Sequence, residues 1–219
     1  MGELLILSDQ YLPGLFQFNG LILPYYMKIG LFFGSFNPIH IGHLIIANYF
    51  AENTDIDKVW FVVSPQNPFK QKSTLLDEKH RLYMVNLAVE DNYKLEASSI
   101  EFRLPQPSYT INTLSYLKEK HPEHSFVLLM GSDNLTGLPK WKNIELILSD
   151  HHIYVYSRRE TESTIAPLKG DFSFFKVPLI DISSTFLREN LKSGISIRYL
   201  VPDKVWEYLT EMGFYRSIW

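Results

Sequence analysis

From residue 27 onward, short continuous apolar runs alternate with longer amphipathic segments, and this alternation restricts the fold more than any other feature. The runs at 28–33, 59–63, 125–130 and 153–156 are rich in β-branched and aromatic residues and lack the polar alternation of a one-sided strand. Strands of that kind are buried on both faces, as in a parallel sheet covered by helices. A further short strand is expected at 172–177. Segments 42–52, 77–90, 109–120, 183–192 and 202–212 read as helices. Local signals mark their ends: Asp77 as an N-cap, Pro122 beyond the third helix, Pro202 in a first turn, and Gly194 and Gly213 as closing residues. Strand–helix alternation means βαβ units and a doubly wound parallel α/β sheet. No repeat, low-complexity tract or linker interrupts 27–216, so 27–219 is expected to be a single domain.

Residues 1–26 stand apart. They carry only Glu3 and Asp9 as charges, and Pro13, Gly14, Gly20 and Pro24 interrupt their apolar residues. That pattern lacks the basic start and continuous core of a signal peptide and is too broken to span a bilayer. Met27 opens a clean strand, so it is read as the natural start, with 1–26 an artefact of start-site choice or expression. The alternative is a short extension whose aromatics pack on the domain or on a partner chain. With 46% hydrophobic and 21% charged residues the rest has ample material for a core. A net charge of −3 argues against a nucleic-acid or anionic-membrane partner, while a small local anion site and self-association both remain compatible with it. The chain has no cysteine, which excludes disulfides and thiolate metal sites and fits a reducing, cytoplasmic setting.

Ligands of doubly wound sheets bind beyond the carboxyl ends of the strands. There the first strand runs into Gly34-Ser35-Phe36-Asn37-Pro38-Ile39-His40-Ile41-Gly42-His43. Gly34 and Ser35 make a tight turn, and Gly42 opens a helix with His40 and His43 on either side. A helix start presents unpaired N–H donors and partial positive charge, and two imidazoles add donors, so the segment suits polyphosphate without a P-loop lysine. A lone histidine at a helix start is usually a cap or a core residue; two in this spacing after a buried strand are harder to dismiss. Zinc would need a third ligand from elsewhere in the chain. Near the C-terminus, Ile182-Ser183-Ser184-Thr185 opens another helix, and Arg188 follows one turn later. Hydroxyls, backbone N–H groups and a guanidinium can together grip phosphate. Read alone, the same residues are a serine N-cap and a surface arginine.

The first segment resembles the signature of the His-x-Gly-His nucleotidyltransferases, and Ile182–Arg188 resembles an element of their nicotinate-nucleotide adenylyltransferase branch. Ser108-Tyr109-Thr110 with Thr113-Leu114, Gly131-Ser132-Asp133, and Trp141 match further segments of that branch. So do the loop ending in Lys70 and the chain's ending through Gly213 and Arg216, so the likeness covers 27–216. It implies a Rossmann-like fold and adenylate transfer from ATP to nicotinate mononucleotide, giving deamido-NAD and pyrophosphate in NAD biosynthesis, with Mg²⁺ accompanying the ATP. By that match His40, His43 and Arg188 would be catalytic. ATP would lie against Gly34, Ser35, Phe36, Gly42, Gly131, Asp133, Ile182, Ser183, Ser184 and Thr185, with Asp133 on a ribose hydroxyl. Thr110 and nearby backbone would bind the pyridine carboxylate, Tyr109 would line the substrate site, Trp141 would stack on the ring, and Lys70 would approach a substrate phosphate. Core packing for Trp141 and a solvated loop for Lys70 are the bland readings.

Two positions depart from the family's pattern: Asn37 stands where Asp is usual, and Lys142 where an aromatic often follows the tryptophan. The rivals are a phosphopantetheine adenylyltransferase, which would not call for Trp141 or Ser108-Tyr109-Thr110, a synthetase-derived nucleic-acid module, and an inactive nucleotide-binding relative. The second lacks support, since the chain has no Lys-Met-Ser-Lys element and no basic stripe.

Overall fold

The computed structural model describes residues 26–65, 75–157, 169–178 and 180–215, together with the backbone of 4–6, 15–18 and 21–24. The first strands, β1 (Leu4–Ile6), β2 (Leu15–Phe18) and β3 (Leu21–Pro24), form an antiparallel sheet of their own. The larger sheet is built from β4 (Lys28–Gly34), β5 (Lys58–Val63), β6 (Leu95–Ser98), β7 (Ser125–Gly131), β8 (Ile153–Tyr156) and β9 (Phe172–Phe175). All its pairings are parallel, in the order β6-β5-β4-β7-β8-β9. The chain winds outward from β4 to β6, returns, and winds the other way from β7 to β9. The order therefore reverses between β4 and β7, the switch point at which such sheets open a crevice.

Burial on both faces explains why the strands read as continuous apolar runs. Side chains alternate across a strand. Ile29 and Leu31 of β4, Val62 of β5, Leu128 and Met130 of β7 and Val155 of β8 enter one core. Phe32, Phe61, Val63, Leu129 and Tyr156 enter the other. Helices α3 (Thr110–Lys120) and α4 (Ile144–Asp150) cover the first face through Leu114, Leu117 and Ile147. Helices α1 (Ile41–Asn53), α2 (Glu78–Val89), α5 (Ser184–Lys192) and α6 (Asp203–Glu211) cover the second. The expected end signals operate: Asp77 caps α2 by accepting from Lys79 N at 2.8 Å, and Gly194 and Gly213 take φ of 73° and 65° just past α5 and α6. A side chain there would be strained.

Five elements were not expected from the sequence: β1, β2 and β3 within residues 1–26, together with β6 and α4. β6 has only four residues, one of them Glu96, and forms the sheet's edge, where burial demands little. α4 is seven residues long, too short to display a helical period, yet Ile144, Ile147 and Leu148 sit on one buried face. Among the described residues no helix is long and apolar enough to cross a membrane.

None of β1–β3 pairs with the larger sheet. The ladder bond joining 26–27 to that sheet, from Ser125 N to Met27 O at 3.0 Å, survives if the chain starts at Met27. A chain starting at Met27 is expected to match the full chain in solubility, melting temperature and turnover. Insoluble or inactive protein would show that residues 1–26 belong to the fold or to an assembly interface.

Candidate active site

A cleft of about 960 Å³ opens at the carboxyl ends of β4, β5, β7 and β8, over the switch point. Three helix starts, those of α1, α3 and α5, contribute residues to its wall: His40 and His43, Tyr109 and Thr110, and Ser183 to Thr185. Each start brings N–H groups that lack intrahelical partners, and the positive end of a helix dipole. Gly34, Ser35, Phe36, Gly131, Asp133, Trp141, Ile182 and Arg188 also line the cleft. Gly42 does not. Its role is spatial: a Cβ there would come within 3.1 Å of the His40 ring, tighter than ordinary contact. Lys70 lies outside the described residues.

The two histidines are held differently. His40 is 3% exposed and occupies the N-cap of α1. Its backbone N–H donates to His43 Nδ1 at 3.2 Å. With Nδ1 accepting, a neutral His43 carries its proton on Nε2 and acts there as a donor. The two rings stack with centroids 3.7 Å apart. Phe36 buttresses the pair: its ring is edge-on to His43 at 5.1 Å and to Phe61 at 5.4 Å. To reach that position its backbone adopts φ of 44°, a left-handed conformation costing roughly 1–3 kcal/mol in a bulky residue. Burial of the ring, 2% exposed, offsets it. Phe36 thus meets the cleft mainly as its floor.

The α5 start is tied to the loop after β4. Ser184 Oγ donates to Pro38 O at 2.9 Å, and Arg188 Nη1 donates to Asn37 O at 2.8 Å. Ser184 has one hydroxyl proton, and here it serves the loop rather than an incoming ligand. Ser183 Oγ accepts from Phe186 N at 3.2 Å, as an N-cap should, and keeps its proton for another acceptor. Arg188 also bonds Thr185 Oγ1 at 3.1 Å and retains further N–H donors.

Asn37, the departure noted in the sequence, is 3% exposed and works inside the wall. Its Oδ1 accepts from Leu76 N at 3.2 Å and from Tyr215 Oη at 2.5 Å. A carboxamide oxygen supplies the same acceptor as a carboxylate oxygen, so the substitution loses charge but keeps the bonds. Burial pushes the Tyr215 phenol far above its usual range, against the pull of Arg188 and Arg81, so it stays protonated and donates. Lys142, the other departure, lies over the Tyr109 ring with Nζ 4.5 Å from the centroid, joining two sides of the cleft. Trp141 is half-buried and packs partly on the core beneath α3 and α4 while its surface faces the cleft.

Two charged residues that shape the cleft escaped the sequence reading. Arg81 on α2 is fully buried, and burial pushes its pKa down. Its guanidinium donates to the carbonyls of Ser35 (2.6 Å), Ser64 (2.8 Å), Pro65 (2.9 Å) and Leu76 (2.8 Å). Those carbonyls belong to the loop after β4, the loop after β5 and the approach to α2. Glu101 is 2% exposed and accepts from Thr113 Oγ1 at 2.9 Å, bracing the first turns of α3. Burial raises its pKa, while the hydroxyls of Ser64, Thr113 and Ser108 favour the charged form. The available signal for Arg81 was its place three and four residues before Met84 and Val85, on the buried face of the helix.

The family model described as cytidylyltransferase-like matches residues 31–190. Fold, cleft and match define the chain as a nucleotidyltransferase. Among curated proteins, the probable nicotinate-nucleotide adenylyltransferase of Flavobacterium psychrophilum is 55% identical over 193 residues, 87% of this chain and all of that protein. Its namesake in Bacteroides thetaiotaomicron is 42% identical, over 84% of this chain and 92% of that one. The chain belongs to the nicotinate-nucleotide adenylyltransferase family. The Plasmodium falciparum nicotinic acid mononucleotide adenylyltransferase complexed with NaAD has the same fold, with a TM-score of 0.70 at 19% identity, covering 86% of this chain and 97% of that one.

Replacing Arg81 by Met leaves four half-buried carbonyls without their donor. Unfolding in urea is expected to show a loss of at least about 3 kcal/mol. Turnover is expected to fall with it, as the loops after β4 and β5 lose register. A change below about 0.5 kcal/mol, the range of an ordinary surface substitution, would show that the clamp is not needed.

Proposed function

We propose that the chain catalyses the reaction its family is named for: transfer of adenylate from ATP to nicotinate mononucleotide, yielding deamido-NAD and pyrophosphate in NAD biosynthesis. The observation that carries the reading is the convergence of three helix starts on one switch-point cleft, with paired imidazoles at the first and Arg188 one turn into the third. A phosphate oxygen of the mononucleotide attacks the α-phosphorus of ATP in line. The new P–O bond forms as the bond to the bridging oxygen breaks, and pyrophosphate leaves. The nucleophile is already an anion at neutral pH, so no general base is required. Catalysis rests on positioning and on neutralising charge at the leaving group.

In this reading His40 and His43 hold the triphosphate, with the Nε2–H of His43 nearest the developing charge. Ser183, Thr185 and Arg188 hold the outer phosphates, and Asp133 bonds a ribose hydroxyl. The start of α3, with Thr110, receives the pyridine carboxylate, and Trp141 stacks on the ring. Lys70 approaches the mononucleotide phosphate. NaAD, named in the Plasmodium complex, is the product such a cleft must accommodate. ATP and a cysteine-free chain suit the cytoplasm, and the partners are small molecules rather than nucleic acid or membrane; self-association is compatible with the reading.

Mg²⁺ accompanies the ATP. It prefers six oxygens, and the carboxylates among the described residues lining the cleft are an exposed Asp133 and a sealed Glu101. The donor set therefore fits an ion held by phosphate oxygens and water, screening charge on the triphosphate, and does not form a protein cage. Turnover is expected to require Mg²⁺, with only weak Mg²⁺ binding to ATP-free protein in a calorimetric titration. Tight binding without ATP would contradict this arrangement.

Pyrophosphate release, measured with ATP and each of nicotinate mononucleotide, nicotinamide mononucleotide and phosphopantetheine, tests the function. The acid is expected to exceed the amide in kcat/KM by about one to two decades, because an NH₂ facing donors is a buried mismatch. Thr110→Val should penalise the acid more than the amide, whereas Trp141→Ala should weaken both. Equal values would overturn the acid preference alone; no release with either pyridine nucleotide would overturn the function.

A further inference from the structure

A second constellation lies at the opposite end of the sheet. Between the end of α3 and the start of β7 runs His121-Pro122-Glu123-His124, a tight turn closed by His124 N donating to His121 O at 3.0 Å. The cleft opens at the carboxyl end of β7, whereas this turn precedes its amino end, so the two sites are separate. Glu123 Oε1 stands 3.7 Å from His121 Nδ1 and 3.6 Å from His124 Nε2. Both distances are too long for hydrogen bonds. The three ligand atoms all lie within 4.8 Å of one another. The His124 side chain is only 5% exposed, and its Nδ1 is sealed without a hydrogen-bond partner. The Glu123 carboxylate thus lies within ion-pair reach of both imidazoles and is hydrogen-bonded to neither, which leaves its lone pairs and theirs open to a shared cation.

We propose that His121, Glu123 and His124 bind a divalent transition-metal ion, with zinc the best match. Bonds of about 2.0–2.1 Å to tetrahedral zinc hold ligand atoms roughly 3.4 Å apart, a few tenths of an ångström inside the spacing between Glu123 and each ring. Two imidazoles and one carboxylate form a known donor set for zinc, cobalt or nickel, whereas Mg²⁺, which demands oxygen, does not suit it. His121 and Glu123 are 39% and 29% exposed, so an ion has a path in and water can fill the fourth position. Trp60, with its ring 5.7 Å from that of His121, walls one side. The ion would pin the end of α3 to the start of β7 without building the fold, since its three ligands lie within four residues.

The test is a titration of untagged, metal-free protein with Co²⁺, read by visible absorption and equilibrium dialysis. One ion per chain is expected, with the absorption of a four-coordinate centre. His121→Gln/His124→Gln, which keeps every other histidine, should bind Co²⁺ at least about tenfold more weakly while turning over ATP·Mg²⁺ normally. Glu123→Gln, a milder change, should also weaken binding and guards against misfolding of the double variant. No one-to-one binding to the unaltered protein, or binding undiminished in these variants, overturns the proposal.

Discussion

Arg81 places one guanidinium against four main-chain carbonyls from three separate segments. A parallel sheet leaves a row of loops at its carboxyl end, and each loop must find partners for its backbone groups. Here a fully buried cation supplies them. It brings the loop after β4, which carries the paired histidines, into register with the loop after β5. Tyr215 and Arg188 act on the same loop from the C-terminal side, through Asn37. The histidine pair is thus held by contacts from helices on one face of the sheet, while Glu101 and Thr113 brace the α3 side.

This scaffold explains how a chain with net charge −3 can offer a site to two phosphorylated substrates. The favourable potential is local. Three helix starts aim their N–H groups at one volume, and Arg188, Lys140 and Lys142 add cations at its rim. Such a site needs no basic surface. It also needs no carboxylate base, consistent with acids in the cleft that are either sealed, as Glu101 is, or exposed, as Asp133 is.

Much of this was legible in the sequence because it is local. Strands buried on both faces leave continuous apolar runs, and the His40–His43 spacing records a helix start within four residues. The segments singled out as site candidates do converge on one cleft, apart from Gly42, which makes room for a ring, and Lys70, which lies outside the described residues. What the sequence hid is non-local. The partners of Arg81 are carbonyls, which leave no mark on residue identity, and Tyr215 meets Asn37 across 178 positions. Ser184 looked like a phosphate donor, yet its proton is committed to Pro38. The short edge strand β6 and the seven-residue α4 were too brief to show a period.

In the proposed mechanism the imidazole of His43, oriented by the His40 backbone, stabilises charge on departing pyrophosphate. Steady-state kinetics of His43→Ala with ATP·Mg²⁺ and nicotinate mononucleotide test it most directly. A fall in kcat of about 10²–10³ is expected, as for loss of one charge-stabilising donor elsewhere, with KM for the mononucleotide nearly unchanged. Near-normal turnover in that variant would contradict it.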